Sequence, residues 1–153
     1  MPVAWRLVKA AYADTPLDGE GARRFGGRWS SPGRAAVYAS DSLALAALEV
    51  LVHLQSSALL EAYLTIGIDY EGRPVLPGPL PEGWRQGSTP AGPRRIGDAW
   101  LDSGRSAVLK VPSAVIPREH NVIFNPAHPR FRRVRIVVRE RFVFDPRIVS
   151  REP

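Results

Sequence analysis

The sequence predicts a single α+β domain spanning residues 1–153, with a mixed β-sheet core and a few helices. Its length is close to the commonest size of one domain. Hydrophobic residues make up 44% and charged residues 24%, which is enough apolar material for a real core. Predicted strands outnumber predicted helices and do not alternate with them as in a doubly wound sheet, so the α+β class is favoured.

The first third of the chain predicts two strands and one helix around a glycine-rich segment. Strands are predicted at Trp5–Lys9 and Ala35–Ala39. Residues 14–33 between them hold five glycines, too many for a passive turn. Ser40 or Asp41 can then cap a helix from 42 to about 56, which consists mainly of Ala and Leu.

The middle of the chain predicts a strand, an irregular segment and a short helix. Alternation and branched residues favour a strand at Ala62–Asp69. Segment 73–93 has six prolines and four glycines, which predicts a surface excursion or a flap anchored by Trp84 and two leucines. The helical spacing of apolar residues favours a helix at Pro93–Ser103.

The last third predicts further strands. Ala107–Val111 and Ala114–Ile116 are predicted as strands separated by Pro112, which cannot donate to a sheet ladder. Arg132–Arg139 alternates as an amphipathic strand does, and 142–144 can extend it or pair with it.

The composition excludes several kinds of site. Without cysteine there are no disulfides, thiolate zinc sites or cysteine nucleophiles, and three isolated histidines form no recognised metal-ligand spacing. We therefore expect neither a metal nor a cofactor. No apolar stretch is long enough to span a membrane and no signal peptide is recognisable, so we expect a cytoplasmic protein that does not bind membranes.

The positive charge is concentrated at the C-terminal end. Residues 118–151 hold nine arginines against three carboxylates, whereas the remainder has twelve basic and twelve acidic residues. Such a segment binds nucleic acid, acidic proteins or phosphorylated ligands, or has no specific partner. One function class left open is therefore a non-enzymatic nucleic-acid-binding module that uses this segment.

Glu49 is unusual because the predicted helix around it is apolar on nearly every face. Its only polar helical neighbour is His53, four residues on. Glu49 and His53 can lie at the rim of an ordinary helix. Alternatively, Glu49 is a carboxylate at the wall of a cleft, where partial burial tunes its acidity.

The run from Phe25 to Ser30 contains two adjacent glycines followed by Arg28 and Trp29. Paired glycines allow close approach to a ligand, the guanidinium binds phosphate or carboxylate, and the indole offers a stacking face. This combination suits a nucleotide, although an ordinary loop with a buried tryptophan has the same features. The run matches neither the Rossmann nor the phosphate-loop pattern.

Three further residues have both structural and functional interpretations. Tyr38 ends a predicted strand beside a helix start, where it can face a ligand or be half-buried core. Ser113 is either a simple turn residue or part of a site, and turn chemistry explains Asn121 at least as well as catalysis does. No Ser-His-Asp arrangement with an oxyanion elbow is visible, which disfavours a serine hydrolase.

Taken together, these motifs resemble the RES-domain family over roughly residues 5–131. The family is named for an arginine, a glutamate and a serine, which are best matched by Arg28, Glu49 and Ser113. The resemblance rests on short sequence motifs, which are, in chain order, Trp5-Arg6-Leu, Gly27-Arg28-Trp29, Val37-Tyr38-Ala-Ser, Ala47-Leu48-Glu49, Val52-His53, Pro112-Ser113, Asn121, Asn125-Pro126 and His128-Pro129.

The resemblance implies the toxin of a bacterial type II toxin–antitoxin system, with a fold similar to ADP-ribosyltransferases and with NAD as its substrate. It implies cleavage of the nicotinamide–ribose bond and transfer of ADP-ribose to water, phosphate or a protein. The implied partner is an Xre-like helix-turn-helix antitoxin that covers the active site, in an oligomeric complex. Segment 73–93 matches no motif of the family.

The same resemblance assigns roles that fit the chemistry of the residues. Glu49 would stabilise the oxocarbenium-like ribose or orient the attacking oxygen, and Arg28 would hold the pyrophosphate. Ser113 would hydrogen-bond the nicotinamide ribose or position Glu49. The remaining substrate contacts are assigned to Tyr38, which can stack on nicotinamide, and to Trp29, His53 and Asn121.

Overall fold

The computed structural model describes residues 2–53, 62–87 and 91–149. Six strands form one sheet in the order β4-β5-β2-β1-β3-β6, with every neighbouring pair antiparallel. The strands are β1 (Val3–Lys9), β2 (Val37–Ser40), β3 (Tyr63–Asp69), β4 (Val108–Pro112), β5 (His120–Phe124) and β6 (Arg135–Phe142). The α-helices are α1 (Glu20–Phe25), α2 (Leu43–Leu51), α3 (Ala91–Ser103) and α4 (Pro146–Val149). The predicted α+β class is confirmed, but the predicted mixed sheet is wrong, because the six described strands pair only antiparallel. In the ranges described, no helix combines the length and apolarity needed to cross a bilayer.

Side chains alternate between the two faces of the sheet and build a separate core on each. One face carries a buried cluster that runs across all the central strands, with Phe124 and Ile66 completely buried. The other face carries a second cluster around Trp29, Trp100 and Ile123. Helix α2 packs on β1 and β2, and α3 contributes to the second cluster.

A glycine sets how closely α3 approaches the loop before β2. A Cβ atom at Gly97 would lie 1.5 Å from the carbonyl oxygen of Trp29, a distance that no side chain can occupy. The helix therefore rests directly on the backbone of Trp29. This contact fixes where the second turn of α3 meets the loop.

Helix α2 is capped differently from the sequence prediction. Ser42 is the N-cap, and its hydroxyl accepts a hydrogen bond from the backbone N–H of Leu45 at 3.1 Å. The helix ends at Leu51, and His53 lies in the following turn. Residues 54–56 of the predicted helix lie outside the described residues.

The predicted strand at Ala114–Ile116 is wrong, because these residues form a turn. The Ser113 hydroxyl accepts hydrogen bonds from the backbone N–H groups of Val115 and Ile116, at 3.0 and 3.1 Å. A serine that satisfies the next amides in this way favours a turn over an extended ladder. The turn belongs to the connection that joins β4 to β5.

Strand β5 was not predicted, although it lies between β2 and β4 in the sheet. The sequence analysis gave Asn121 a turn role, because asparagines, histidines and prolines crowd the run 120–129. The apolar residues 122–124 are buried and pair with both neighbours. Tertiary pairing outweighs the local turn signals here.

The last strand and the proline-rich segment largely follow the predictions. Strand β6 begins at Arg135 rather than at 132, since Pro129–Arg133 forms a 3₁₀ helix. In segment 73–87, Val75 forms a bridge with Leu109 of edge strand β4. Trp84 and Leu80 pack on the Trp29 cluster as predicted. Leu76, the other leucine predicted as an anchor, is 65% exposed, so that part of the prediction is wrong.

Candidate active site

A cavity of about 590 Å³ opens on the sheet face that carries α2 and α3. Its size falls in the range of small-molecule sites. Among the described residues that line it, four are cationic, Arg6, Lys9, Arg28 and Arg94, and one, Glu49, carries a carboxylate. In the described part of the chain, no group of three or more metal-ligating side chains is placed to hold an ion. The pocket is therefore suited to an anionic organic ligand.

The Glu49 carboxylate is held from the sheet. The Ser113 hydroxyl and the Asn121 side-chain N–H each donate to Oε1 of Glu49 at 2.7 Å. Short bonds of this kind to a charged acceptor are stronger than those between neutral groups. No hydrogen bond or ion pair joins Glu49 to His53, the helical neighbour singled out in the sequence. Since both donors come from the sheet side, they fix the direction in which the carboxylate faces the pocket.

The two donors to Glu49 are themselves anchored. The Ser40 hydroxyl donates to Oδ1 of Asn121 at 2.8 Å, which leaves the amide N–H free to point at Glu49. Ser113 is completely buried, and its oxygen also accepts the two N–H groups of the turn after β4. The Glu49 carboxylate is therefore held by a hydrogen-bond network whose other members lie in β2, in β5 and in the turn after β4.

Tyr38 of β2 lines the pocket, and hydrogen bonds to its hydroxyl hold it in place. That oxygen accepts from the backbone N–H of Trp29 at 3.1 Å and shares a hydrogen bond with Ser30 at 2.8 Å. Burial raises the pKa of Tyr38 to about 12, despite the opposing effect of these hydrogen bonds. The phenol therefore stays neutral, and its ring forms part of the pocket wall.

Arg28 lines the pocket while holding the proline-rich segment. Its two terminal nitrogens donate to the carbonyl oxygens of Trp84 and Gly87, each at 3.0 Å. The Trp84 ring packs on Trp29 with centroids 6.1 Å apart, and Arg85 donates to the turn carbonyl of Ala114 at 2.6 Å. These contacts hold residues 84–87 of the segment against the rim of the pocket.

The adjacent glycines of the loop make room for side chains of the protein itself. A Cβ atom at Gly27 would lie 2.6 Å from the Tyr38 hydroxyl. At Gly26, which has a φ of 72°, it would lie 2.7 Å from a terminal nitrogen of Arg94. The sequence analysis expected these glycines to admit a ligand. In the structure they admit Tyr38 and Arg94.

Six of the seven residues predicted for the site line this one pocket, and the seventh is bonded to one of them. Ser113 does not reach the cavity, since it is fully buried behind Glu49. Trp29 is only 2% exposed, so it serves mainly as packing. The lining set is Arg28, Trp29, Tyr38, Glu49, His53 and Asn121.

Sequence reasoning missed three cations of the pocket lining, Arg6, Lys9 and Arg94. Arg6 of β1 donates to the carbonyl oxygens of Tyr38 at 2.7 Å and Pro16 at 3.2 Å, and desolvation lowers its pKa. A charged residue inside an apolar strand was the available signal. Arg94 lies on α3, where a pair of arginines looks like an ordinary solvated face.

One solved structure with the same fold is that of the Mycobacterium tuberculosis MbcT toxin, crystallised as the MbcT–MbcA toxin–antitoxin complex. The TM-score is 0.78 with 22% identity, covering 97% of this chain and 86% of that one. At this identity the likeness establishes the fold.

Sequence comparison establishes the family. The chain is 40% identical over 157 residues to the Prs ADP-ribosylating toxin of Sphingobium sp., covering 96% of each. It is 38% identical over 148 residues to Toxin Res of Yersinia enterocolitica, covering 94% of this chain and 97% of that protein. A model of the RES domain matches residues 3–145. The resemblance noted from the motifs is thereby confirmed, and the chain belongs to the RES-domain family.

Proposed function

We propose that the protein is the toxin of a toxin–antitoxin pair and that it cleaves NAD at the nicotinamide–ribose bond. The observation that carries this proposal is the Glu49 carboxylate, fixed by Ser113 and Asn121 in a pocket whose other charged groups, among the described residues, are cationic. The names of the relatives, Toxin Res and Prs ADP-ribosylating toxin, support both the toxin role and the use of NAD.

The reaction needs a negative charge beside the ribose. As the bond to nicotinamide breaks, the ribose takes on oxocarbenium character, and a preorganised carboxylate stabilises it without reorganising. Glu49 is our catalytic residue. Its Oε1 already accepts two hydrogen bonds, so Oε2 is the oxygen that faces the ribose or orients the incoming acceptor. That acceptor is water, phosphate or a protein group.

The cationic end of the pocket suits the pyrophosphate of NAD. Arg28 uses two of its five N–H donors on loop carbonyls, and the remaining donors can bind a phosphate oxygen. The Tyr38 ring supplies a flat face for nicotinamide. His53 and Asn121 complete the substrate contacts, with Trp29 supporting the loop that carries Arg28.

An antitoxin is the partner we propose, because the structural relative was crystallised with one. We take it to be an Xre-like protein that covers the pocket in an oligomeric complex. The arginines of β6 and of the preceding 3₁₀ helix do not line the pocket. They lie at a sheet edge and would meet an acidic surface of the antitoxin. Reversing Arg132, Arg133 and Arg135 should weaken antitoxin binding and its salt dependence, whereas unchanged binding would refute this role.

The test of the function is nicotinamide release from NAD by antitoxin-free protein, with and without phosphate, followed by mass analysis of the second product. Free ADP-ribose identifies hydrolysis, ADP-ribose-1-phosphate identifies phosphorolysis, and a mass gain on an added protein identifies transfer. A folded sample that releases no nicotinamide under any of these conditions would contradict the proposal.

A further inference from the structure

We propose that Arg94 is a second phosphate-binding residue of the pocket and determines its preference for a diphosphate-containing ligand. The inference rests on the proposed function and deepens it. Arg94 lies on α3, which carries none of the motifs that resemble the family. Its charge would make the pocket prefer NAD to fragments without phosphate.

The hydrogen bonds that Arg28 already makes leave a role for a second cation in binding a diphosphate. Both of its terminal nitrogens are already bonded to the carbonyl oxygens of Trp84 and Gly87. These bonds fix the plane of the guanidinium and remove the pair of parallel donors that would face a phosphate head-on. A pyrophosphate carries two charges along its length, so one arginine held in this way leaves part of that charge to the other cations of the lining. Of these, Arg6 is already bonded to the carbonyl oxygens of Tyr38 and Pro16, and Lys9 also has an interaction of its own.

Arg94 is held by the loop but keeps its terminal donors. Its Nε donates to the carbonyl oxygen of Gly27 at 2.9 Å. The half-buried side chain lines the pocket, and one of its terminal nitrogens lies 2.7 Å from where a Cβ atom at Gly26 would be. One bond through Nε fixes the direction of the guanidinium, which leaves the four N–H donors of Nη1 and Nη2 for a ligand.

The usual partner of Arg94 on its own helix is engaged elsewhere. Asp98 is four residues on, the spacing at which a helical ion pair forms. Its two oxygens instead accept from the backbone N–H and the hydroxyl of Ser31, at 2.8 and 2.6 Å, and Arg34 lies 3.6 Å from it. Across residues 2–53, 62–87 and 91–149, no carboxylate lies within ion-pair distance of Arg94. Among these residues, therefore, no ion pair occupies the guanidinium of Arg94.

The helix holds this charge rigidly. Gly97, less than one turn further along α3, rests on the Trp29 backbone, so the Arg94 backbone cannot shift independently of the loop. Arg95, its neighbour, is exposed and does not line the pocket. The two adjacent arginines therefore offer a matched pair, one built into the pocket and one outside it.

The experiment measures the binding of ADP and of adenosine by calorimetry to wild type, Arg94→Gln and Arg95→Gln. Wild type should bind ADP more tightly than adenosine. Arg94→Gln should lose about tenfold in ADP affinity, the size expected for one charge-assisted contact, with adenosine affinity unchanged. Arg95→Gln should behave as wild type. If Arg94→Gln lowers the unfolding temperature, Arg94→Lys, which keeps the charge but not the planar fork, should give an intermediate loss for ADP alone.

Two results would overturn the role of Arg94: no preference of wild type for ADP over adenosine, or a preference that survives in Arg94→Gln. Nicotinamide release is measured on the same preparations. Release without an effect of Arg94→Gln on ADP binding leaves the proposed function standing and removes Arg94. Loss of the ADP preference in Arg94→Gln, without release by wild type, leaves Arg94 standing and removes the proposed reaction.

Discussion

The two ends of the pocket are held in different ways. At the carboxylate end, side chains of β2, β5 and the turn after β4 hold Glu49 through the Ser40–Asn121 bond and Ser113. At the cationic end, Arg28 and Arg94 are held by backbone carbonyls of irregular segments. A network of side chains holds a reacting atom in one orientation, as catalysis requires. Carbonyl clamps orient a guanidinium yet leave several donors for binding. We therefore expect substitutions at the first end to alter kcat and those at the second to alter affinity.

The largest effect should come from Glu49→Gln, which keeps the size and the acceptor oxygen of the side chain but removes its charge. We expect kcat for nicotinamide release to fall about a hundredfold or more, as when one preorganised electrostatic contributor is lost. Glu119→Gln, an exposed carboxylate of the β4–β5 connection, is the matched control and should be inert. Unchanged turnover in folded Glu49→Gln would remove Glu49 from the mechanism.

Gly97→Ala should disturb the cationic end of the pocket by overpacking the contact between α3 and the loop that carries Trp29. The new methyl group would collide with the Trp29 carbonyl, so α3 must shift and carry Arg94 with it. We expect a loss of about 3 kcal/mol in the free energy of unfolding, at the upper end for overpacking, together with weaker NAD binding. Gly21→Ala is the control for stability, because a Cβ atom there meets nothing within 4 Å. Equal stabilities of the two variants in denaturant titrations would refute the close contact.

Ser113→Ala tests whether the carboxylate end works as a network. Loss of one hydrogen bond to a charged group should lower kcat about tenfold, with little change in KM because Ser113 does not reach the cavity. Asn121→Ala should act in the same direction. Since Ser113 acts through Glu49, adding Ser113→Ala to Glu49→Gln should cause no further loss in kcat. Additive losses in the double variant would mean that Ser113 contributes independently.

The smallest effect concerns Tyr38, which joins the two ends. The folded protein keeps the phenolic proton up to a pKa of about 12, against 10.0 for an unperturbed tyrosine. Above about pH 10 the unfolded chain loses this proton first, so stability should decline as the pH rises from about 10 to about 12. Tyr38→Phe costs about 1 kcal/mol at neutral pH through its lost hydrogen bonds. Its unfolding free energy should decline less over that alkaline window, as urea titrations at several pH values would show.

The sequence predicted the carboxylate end better than the cationic end, for physical reasons. Glu49 was conspicuous because an apolar helix leaves a carboxylate without partners, and Ser113 and Asn121 stood in recognisable motifs. That both donate to one oxygen depends on β5, whose pairing the local turn signals concealed. Arg94 left no local signal, because its value comes from Gly26 and Gly27, which are distant in the chain, and from the engagement of Asp98 with Ser31. Most elements were predictable from alternation and apolar spacing, while the turn at Ala114–Ile116 was decided by a single hydroxyl.

The most direct test of the division between the two ends is the rate of nicotinamide release at saturating NAD, measured side by side for wild type, Glu49→Gln and Arg94→Gln. We predict that Arg94→Gln approaches the wild-type rate once NAD is raised about tenfold, while Glu49→Gln stays about a hundredfold slower at every concentration. A Glu49→Gln enzyme that recovers with added NAD, or an Arg94→Gln enzyme that does not, would contradict the account.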